Sequence, residues 1–153
     1  MRLAREISTW SKDPSAQIGA VIINARRIMA TGYNGFPEGI RDTPERLADK
    51  QEKYPRVIHG EMNALLNALN NGVSVRGSTL YVYGLPICAD CTKSVIQAGI
   101  CRVVVPYPEK TSQRWKEQWD SISRPMFEEA GVAITEVDTD TLDLEQITFR
   151  TKI

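Results

Sequence analysis

The chain has 153 residues, of which 42% are apolar, and its 19 Lys and Arg balance 19 Asp and Glu. This length predicts a single domain around one core. No apolar run reaches the roughly 18 residues that a membrane span needs, and no segment resembles a signal peptide, so we predict a cytoplasmic protein without a membrane partner. The balanced charge disfavours long nucleic acid as a partner, because phosphate backbones select basic proteins.

Strands and helices are predicted to alternate along the chain. Runs rich in Ile and Val indicate strands, and Met62, Leu65, Leu66 and Leu69 fall at the spacing of one helix face. After a first helix at the N terminus, the predicted helices are 43–53, 60–70, 89–97, 115–119 and 125–130. The predicted strands are 17–24, 28–33, 79–83, 100–105 and 132–137. This order predicts an α/β three-layer sandwich in which the first two strands form a hairpin and the remaining sheet is largely parallel.

Acidic residues accumulate near the C terminus, where few apolar residues accompany them. The group consists of Glu136, Asp138, Asp140, Asp143 and Glu145. Such a stretch is typical of a solvated surface. We therefore predict a domain over residues 1–137 and an acidic tail over 138–153.

Two short motifs, 29 residues apart, each begin a predicted helix: His59-Gly60-Glu61 and Cys88-Ala89-Asp90-Cys91. Two thiolates on one turn at a helix N-terminus can face a common point. One imidazole and two thiolates are a recognised ligand set for catalytic zinc, which leaves the fourth position open for water. The zinc deaminases carry this pattern as H-x-E followed by P-C-x-x-C. We therefore predict that His59, Cys88 and Cys91 bind one Zn²⁺.

Glu61 stands two residues after His59, close enough to move protons at the zinc without binding it. We predict that it is the general acid and base of the reaction. Cys101 lies away from the ligand spacing, and we predict a buried small residue there.

The chain resembles a deoxycytidylate (dCMP) deaminase of the cytidine deaminase superfamily. The residues that carry the resemblance lie in segments 11–20, 32–37, 59–64, 88–91 and 96–100. It implies a three-layer α/β/α sandwich with a central five-stranded mixed sheet, and the hydrolysis of dCMP to dUMP and ammonia for thymidylate synthesis. It also implies a homo-oligomer, typically a hexamer regulated by dCTP and dTTP. A chain with one His cannot build the second, structural zinc site of some members, so we expect one zinc per subunit.

The resemblance also implies roles for residues around the base and sugar. Asn34 matches a sugar-contacting Asn, and the backbone N–H of Gly60 is placed to donate to the pyrimidine carbonyl. The 5′-phosphate needs a cation, which the sequence does not single out, and effectors are expected at the loop that contains Tyr33 and Gly35. The possible cations are Lys12, Arg26, Arg41 and Arg102. Two departures bear on substrate choice: Gly60 replaces the usual Ala, and Ile87 separates Pro86 from Cys88.

Three alternatives stay open at this point. The first is a deaminase of another cytosine or adenine nucleoside, base or tRNA, the last disfavoured by the zero net charge. The second is a thioredoxin-like redox protein, because Cys-x-x-Cys also follows a strand there. The third is a catalytically silent zinc module that binds nucleotides, against which the presence of Glu61 argues.

Overall fold

The structure is a computed structural model, and it describes residues 1–141. These residues fold around a mixed five-stranded sheet. The strand order is β2-β1-β3-β4-β5. The strands are β1 (Gly19–Asn24), β2 (Arg27–Tyr33), β3 (Thr79–Tyr83), β4 (Arg102–Pro106) and β5 (Ala133–Val137). β1 is antiparallel to both β2 and β3, whereas β3, β4 and β5 run parallel. The predicted hairpin and the mixed sheet are confirmed.

The two ends of the parallel strands define two edges of the sheet. We call the edge at Tyr83, Pro106 and Val137 the carboxyl edge, and the edge at Thr79, Arg102 and Ala133 the amino edge. β1 begins at the carboxyl edge, since Gly19 pairs with Tyr83. The turn between β1 and β2 therefore lies at the amino edge.

Helices cover both faces of the sheet. They are α1 (Arg2–Ser8), α2 (Pro44–Ala48), α3 (Lys50–Lys53), α4 (Gly60–Asn70), α5 (Ala89–Gln97), α6 (Gln113–Gln118) and α7 (Arg124–Glu129). On one face, α1 packs Ala4 and Ile7 against Val21. On the other face, α4, α5 and α7 enclose the larger core, which includes Ile22, Leu80, Val95 and Phe127. The three-layer sandwich is thus confirmed, and within residues 1–141 no helix has the length and apolarity to cross a bilayer.

Two glycines allow helices to lie unusually close to the sheet. A Cβ on Gly32 would come within 2.2 Å of the Ala64 nitrogen and 2.5 Å of the Gly60 oxygen. On the opposite face, a Cβ on Gly19 would lie 1.9 Å from the Ala4 oxygen. α4 therefore rests directly on the β2 backbone, and this contact sets the position of its N-terminus.

Several elements differ from the sequence-based predictions. The single helix over 43–53 is two helices, because extended Asp49 ends α2 and caps α3 by accepting from the Gln51 N–H. The prediction that Cys101 is buried is wrong: the residue is exposed, and its thiol donates to the Gly77 carbonyl at 3.2 Å. It lies one residue before β4, outside the core.

The acidic stretch is only partly a solvated surface. Glu136 belongs to β5 and accepts from the indole N–H of buried Trp119 at 2.9 Å. Asp138 and Asp140 both pair with Lys110. The rest of the predicted tail, including Asp143 and Glu145, lies outside the described residues, so the domain boundary at 137 stays a prediction.

Candidate active site

The residues predicted to bind metal converge at the carboxyl edge. His59 immediately precedes α4 and Cys88 immediately precedes α5, both with extended backbone. The His59 Nδ1 lies 3.3 Å from the Cys88 Sγ and 3.5 Å from the Cys91 Sγ. The three ligand atoms lie within 4.8 Å of one another. Two helix N-termini thus bring together side chains that are remote in the sequence.

This spacing fits a tetrahedral zinc ion. Zn–N bonds of about 2.0–2.1 Å and Zn–S bonds of about 2.3 Å place nitrogen and sulfur roughly 3.5 Å apart at a tetrahedral angle. Both measured separations lie close to this value. The donor set, one imidazole and two thiols, is also chemically suited to zinc, and it supplies three of the four ligands.

The same contacts shift the proton affinities of the three side chains. The hydrogen bond with Cys88 raises the pKa of His59 to about 9, although burial opposes the shift. Hydrogen bonds from Cys91 and from His59 lower the pKa of Cys88 to about 4. The neighbouring Cys88 sulfur and burial raise the pKa of Cys91. Because zinc binds thiolates and a neutral imidazole, binding of the ion would displace the protons that these contacts retain on His59 and Cys91.

Glu61 lies in the first turn of α4 and is 3% exposed. Burial raises the pKa of its carboxyl to about 7, although the positive charge of His59 opposes this rise. A carboxyl with this pKa can both accept and release a proton near neutral pH. Its environment therefore suits general acid and base chemistry.

A cavity of about 340 Å³ adjoins His59 and Glu61. Its wall combines apolar surface with a few polar groups. Beyond these two residues it is lined by Asp13, Ser15, Ala16, Ile18, Asn34, Lys53, Tyr54, Val57, Leu85, Pro86, Ser112 and Trp115. The volume and the mixed wall are typical of a small-molecule site.

The residues predicted to contact the base lie at this cavity or beside it. Gly60 is buried as the first residue of α4, so its N–H belongs to the helix end that lacks intrahelical acceptors. A Cβ on Gly60 would come within 3.2 Å of the Ile18 oxygen. Glycine therefore avoids a tight contact at this position. Ile87 is buried in the core, while Pro86 forms part of the cavity wall.

The Asn34 side chain is buried and lines the cavity, but the protein uses most of its hydrogen-bonding capacity. Its amide nitrogen donates to the Ala16 carbonyl at 2.9 Å and to Asp13 Oδ2 at 3.3 Å. Its Oδ1 accepts from the Ile18 N–H at 2.8 Å. One lone pair on Oδ1 remains for a ligand.

The four predicted cations lie outside the cavity wall. Lys12 is exposed and pairs with Asp42 at 2.9 Å. Arg41 is exposed, and its carbonyl accepts from Arg46. Arg26 occupies the turn at the amino edge, and Arg102 begins β4 at the same edge. Both therefore lie at the end of the sheet opposite to Glu61.

The two loop residues predicted as effector contacts flank Asn34 in the sequence but do not line the cavity. The Tyr33 ring meets the Trp10 ring edge-on at 6.1 Å. Gly35 exchanges two backbone hydrogen bonds with Ile58, at 2.8 and 3.1 Å. This bridge ties the loop to the residue immediately before His59.

Lys53 is a cavity residue that the sequence reasoning missed. Its side chain is 5% exposed, and its ammonium pairs with Asp13 at 3.0 Å and donates to Ser15 at 3.0 Å. Among the described residues, Lys53 and His59 are the two basic residues in the cavity wall. Only the position of Lys53 in a short polar helix was visible in the sequence, and that pattern is typical of exposed lysines.

The mixed sheet places one imidazole and two thiols at paired helix N-termini, with a buried carboxyl beside them. This arrangement is typical of a zinc-dependent deaminase. The sequence model of the cytidine and deoxycytidylate deaminase zinc-binding region matches residues 1–106. The chain belongs to this family.

Similar proteins support this assignment. An uncharacterized deaminase from the luxG 3′ region of Aliivibrio fischeri is 38% identical over 142 residues, which cover 92% of each chain. A deoxycytidylate deaminase from Pongo abelii is 39% identical over 129 residues, 80% of this chain and 68% of that protein. The dCMP deaminase of cyanophage S-TIM5, solved in complex with dCMP and dUMP, is 25% identical with a TM-score of 0.71, covering 89% of this chain and 92% of that one.

Proposed function

We propose that this protein hydrolyses dCMP to dUMP and ammonia. The observation that carries the proposal is the convergence of His59, Cys88 and Cys91 at one point, where His59 and the buried carboxyl of Glu61 line a cavity. The choice of dCMP rests on the similar proteins, which include deoxycytidylate deaminases and a structure with dCMP and dUMP bound. The redox alternative gives no role to His59 or Glu61.

His59, Cys88 and Cys91 would hold the zinc, which supplies Lewis-acid activation of water when bound. Glu61 would take one proton from the attacking water and deliver it to the ring nitrogen next to the attacked carbon. It would then carry the remaining proton of that water to the amino group, which leaves as ammonia. The Gly60 N–H would donate to the pyrimidine carbonyl. Asn34 Oδ1 would accept from the deoxyribose hydroxyl, since both of its amide hydrogens are already engaged.

Four finer features belong to the same proposal. One zinc per subunit is supported by the single His in the chain and by the one group with ligand spacing among residues 1–141. We further propose a cytoplasmic homohexamer, regulation by dCTP and dTTP at the loop that contains Tyr33 and Gly35, and supply of dUMP for thymidylate synthesis. The homohexamer, its regulation and the supply of dUMP rest on the family resemblance, and the cytoplasmic location rests on the sequence analysis.

Ammonia release from dCMP, deoxycytidine, cytosine and an adenosine-containing tRNA tests the proposal, with zinc-loaded protein. We expect turnover of dCMP with a kcat/KM clearly above that for deoxycytidine. Equal values for these two compounds would reject the nucleotide assignment. Binding of dUMP without turnover of any compound would identify a silent binding module.

A further inference from the structure

A buried ion pair stands beside the active-site cavity without a part in the mechanism above. The Asp13 and Lys53 side chains are 7% and 5% exposed, and their charged atoms lie 3.0 Å apart. Burying an ion pair costs desolvation free energy that the attraction often fails to recover. Its position in the cavity wall therefore suggests a task other than stability.

The Asp13 carboxylate connects two neighbouring segments. Its Oδ1 accepts from the Lys53 ammonium and from the backbone N–H groups of Ser15 and Ala16, at 2.7 and 3.3 Å. Its Oδ2 accepts from the Asn34 amide at 3.3 Å. Lys53, at the end of α3, thus fixes a carboxylate that in turn engages Asn34.

These contacts determine what Asn34 can offer a ligand. The Ile18 N–H requires oxygen on one side of the amide, and the Ala16 carbonyl requires nitrogen on the other. Asp13 occupies the second amide hydrogen. Without Asp13, Asn34 would have one free hydrogen and could act as a donor; with Asp13 in place it can only accept.

We propose that Asp13 and Lys53 are positioning residues that make Asn34 an acceptor-only group, so that the enzyme selects a sugar hydroxyl that donates. The inference rests on the proposed function and refines it. The sugar of dCMP has one hydroxyl, at C3′, and this group is the donor that Asn34 would read. An analogue that carries an acceptor at C3′ would leave Asn34 Oδ1 without a partner.

A series of substrates tests, without any variant, whether Asn34 accepts a hydrogen bond from the sugar and does not donate one. The wild-type, zinc-loaded enzyme is assayed with dCMP, 2′,3′-dideoxy-CMP and 3′-fluoro-2′,3′-dideoxy-CMP. We expect both analogues to lose about 10- to 100-fold in kcat/KM, because a buried acceptor is left unpaired. A fluoro analogue as good as dCMP overturns the inference. Failure to convert any of the three compounds overturns the proposed function as well, whereas equal kcat/KM for all three overturns the inference alone.

Variants then test the two positioning residues. Asp13→Asn cannot accept from both Asn34 and the Ser15 and Ala16 amides, so we expect it to raise KM for dCMP and to reduce the preference for dCMP over dideoxy-CMP about tenfold. Lys53→Met should reduce the same preference, and the double variant should add little to Asp13→Asn, because the residues act as one unit.

Lys50→Met is the matched control, since Lys50 is exposed on the same helix, and it should keep the wild-type preference. Equal loss on dCMP and dideoxy-CMP in Asp13→Asn would mean that the pair is merely structural and would overturn its positioning role. Thermal melting checks that each variant folds. If a single variant does not fold, the double variant takes its place, because it removes both charges together.

Discussion

The carboxyl and amino edges of the sheet contain similar residue types in different surroundings. At the carboxyl edge, Cys91 is buried within 3.5 Å of an imidazole, and Glu61 is enclosed. At the amino edge, Cys101 is exposed with backbone carbonyls as its partners, and Arg102 donates to Thr135. Thiols and carboxyls thus become reactive where they converge and are buried. The parallel strands bring such residues together only at the carboxyl edge.

Replacing the thiol at each edge should give the largest contrast. Cys91→Ser removes one of three proposed ligands, so we expect loss of zinc and, with it, of nearly all deaminase activity. Cys101→Ser should retain both, because its Sγ donates to the Gly77 and Ser78 carbonyls at the amino edge, away from the proposed ligands. Metal analysis by emission spectroscopy and the dCMP assay measure the two effects. Full zinc content in Cys91→Ser would show that the ligand assignment is wrong.

Glu61→Gln should separate chemistry from metal binding at the carboxyl edge. The amide keeps the shape of the carboxyl but cannot transfer protons, so we expect kcat to fall by at least about 10²–10⁴-fold. Zinc content and dUMP binding should stay at wild-type levels. Glu129→Gln, at an exposed position on α7, is the control and should remain fully active. A wild-type kcat in Glu61→Gln would contradict the role of this carboxyl as the proton carrier.

The sequence could predict those features of the fold and the site that depend on local patterns. Local patterns sufficed for the hairpin, for the α/β order and for the helices that begin after His59 and Cys88, because caps and apolar periodicity act over a few residues. The proposed ligand set could also be predicted, since its two motifs lie at successive helix starts.

Tertiary contacts decided what the sequence could not predict. Lys53 lies in a short polar helix, yet the chain folds over it and Asp13 neutralises it. Cys101 belongs to the predicted strand 100–105, whereas β4 begins at Arg102 and leaves Cys101 just outside the sheet. Asn34 matched a sugar-binding residue, whereas the engagement of its amide hydrogens depends on a loop 18 to 21 residues away.

The backbone at the carboxyl edge should be intolerant of added volume. In Gly32→Ala, the new Cβ would meet the Ala64 nitrogen at 2.2 Å, so α4 would have to move away from β2. We expect a loss of about 3 kcal/mol in unfolding free energy, at the upper end of typical overpacking. Urea denaturation measures it. A loss below about 1 kcal/mol would show that α4 can shift at little cost.

At the amino edge, substitutions in the turn between β1 and β2 should stabilise the protein, whereas Gly32→Ala should destabilise it. Ala25 and Arg26 have φ of 44° and 67°, a conformation that side chains with a Cβ disfavour. Asn-Gly is the preferred pair for such a hairpin turn. Ala25→Asn with Arg26→Gly should therefore stabilise the protein by about 1 kcal/mol and raise Tm by about 2–4 °C. Calorimetry measures the shift, and an unchanged or lower Tm would contradict the assignment of strain.

Arg102→Ala should have the smallest effect, and it tests whether the amino edge contributes to substrate binding. β4 has five residues, so Arg102 lies about 13 Å along the strand from the carboxyl edge. Its guanidinium is exposed and donates to Thr135 Oγ1 at 2.9 Å, a contact worth less than about 0.5 kcal/mol at the surface. We expect unchanged stability and an unchanged ratio of kcat/KM for dCMP over deoxycytidine, measured side by side. A tenfold fall in that ratio would mean that Arg102 reaches the phosphate, and that the two edges are not functionally separate.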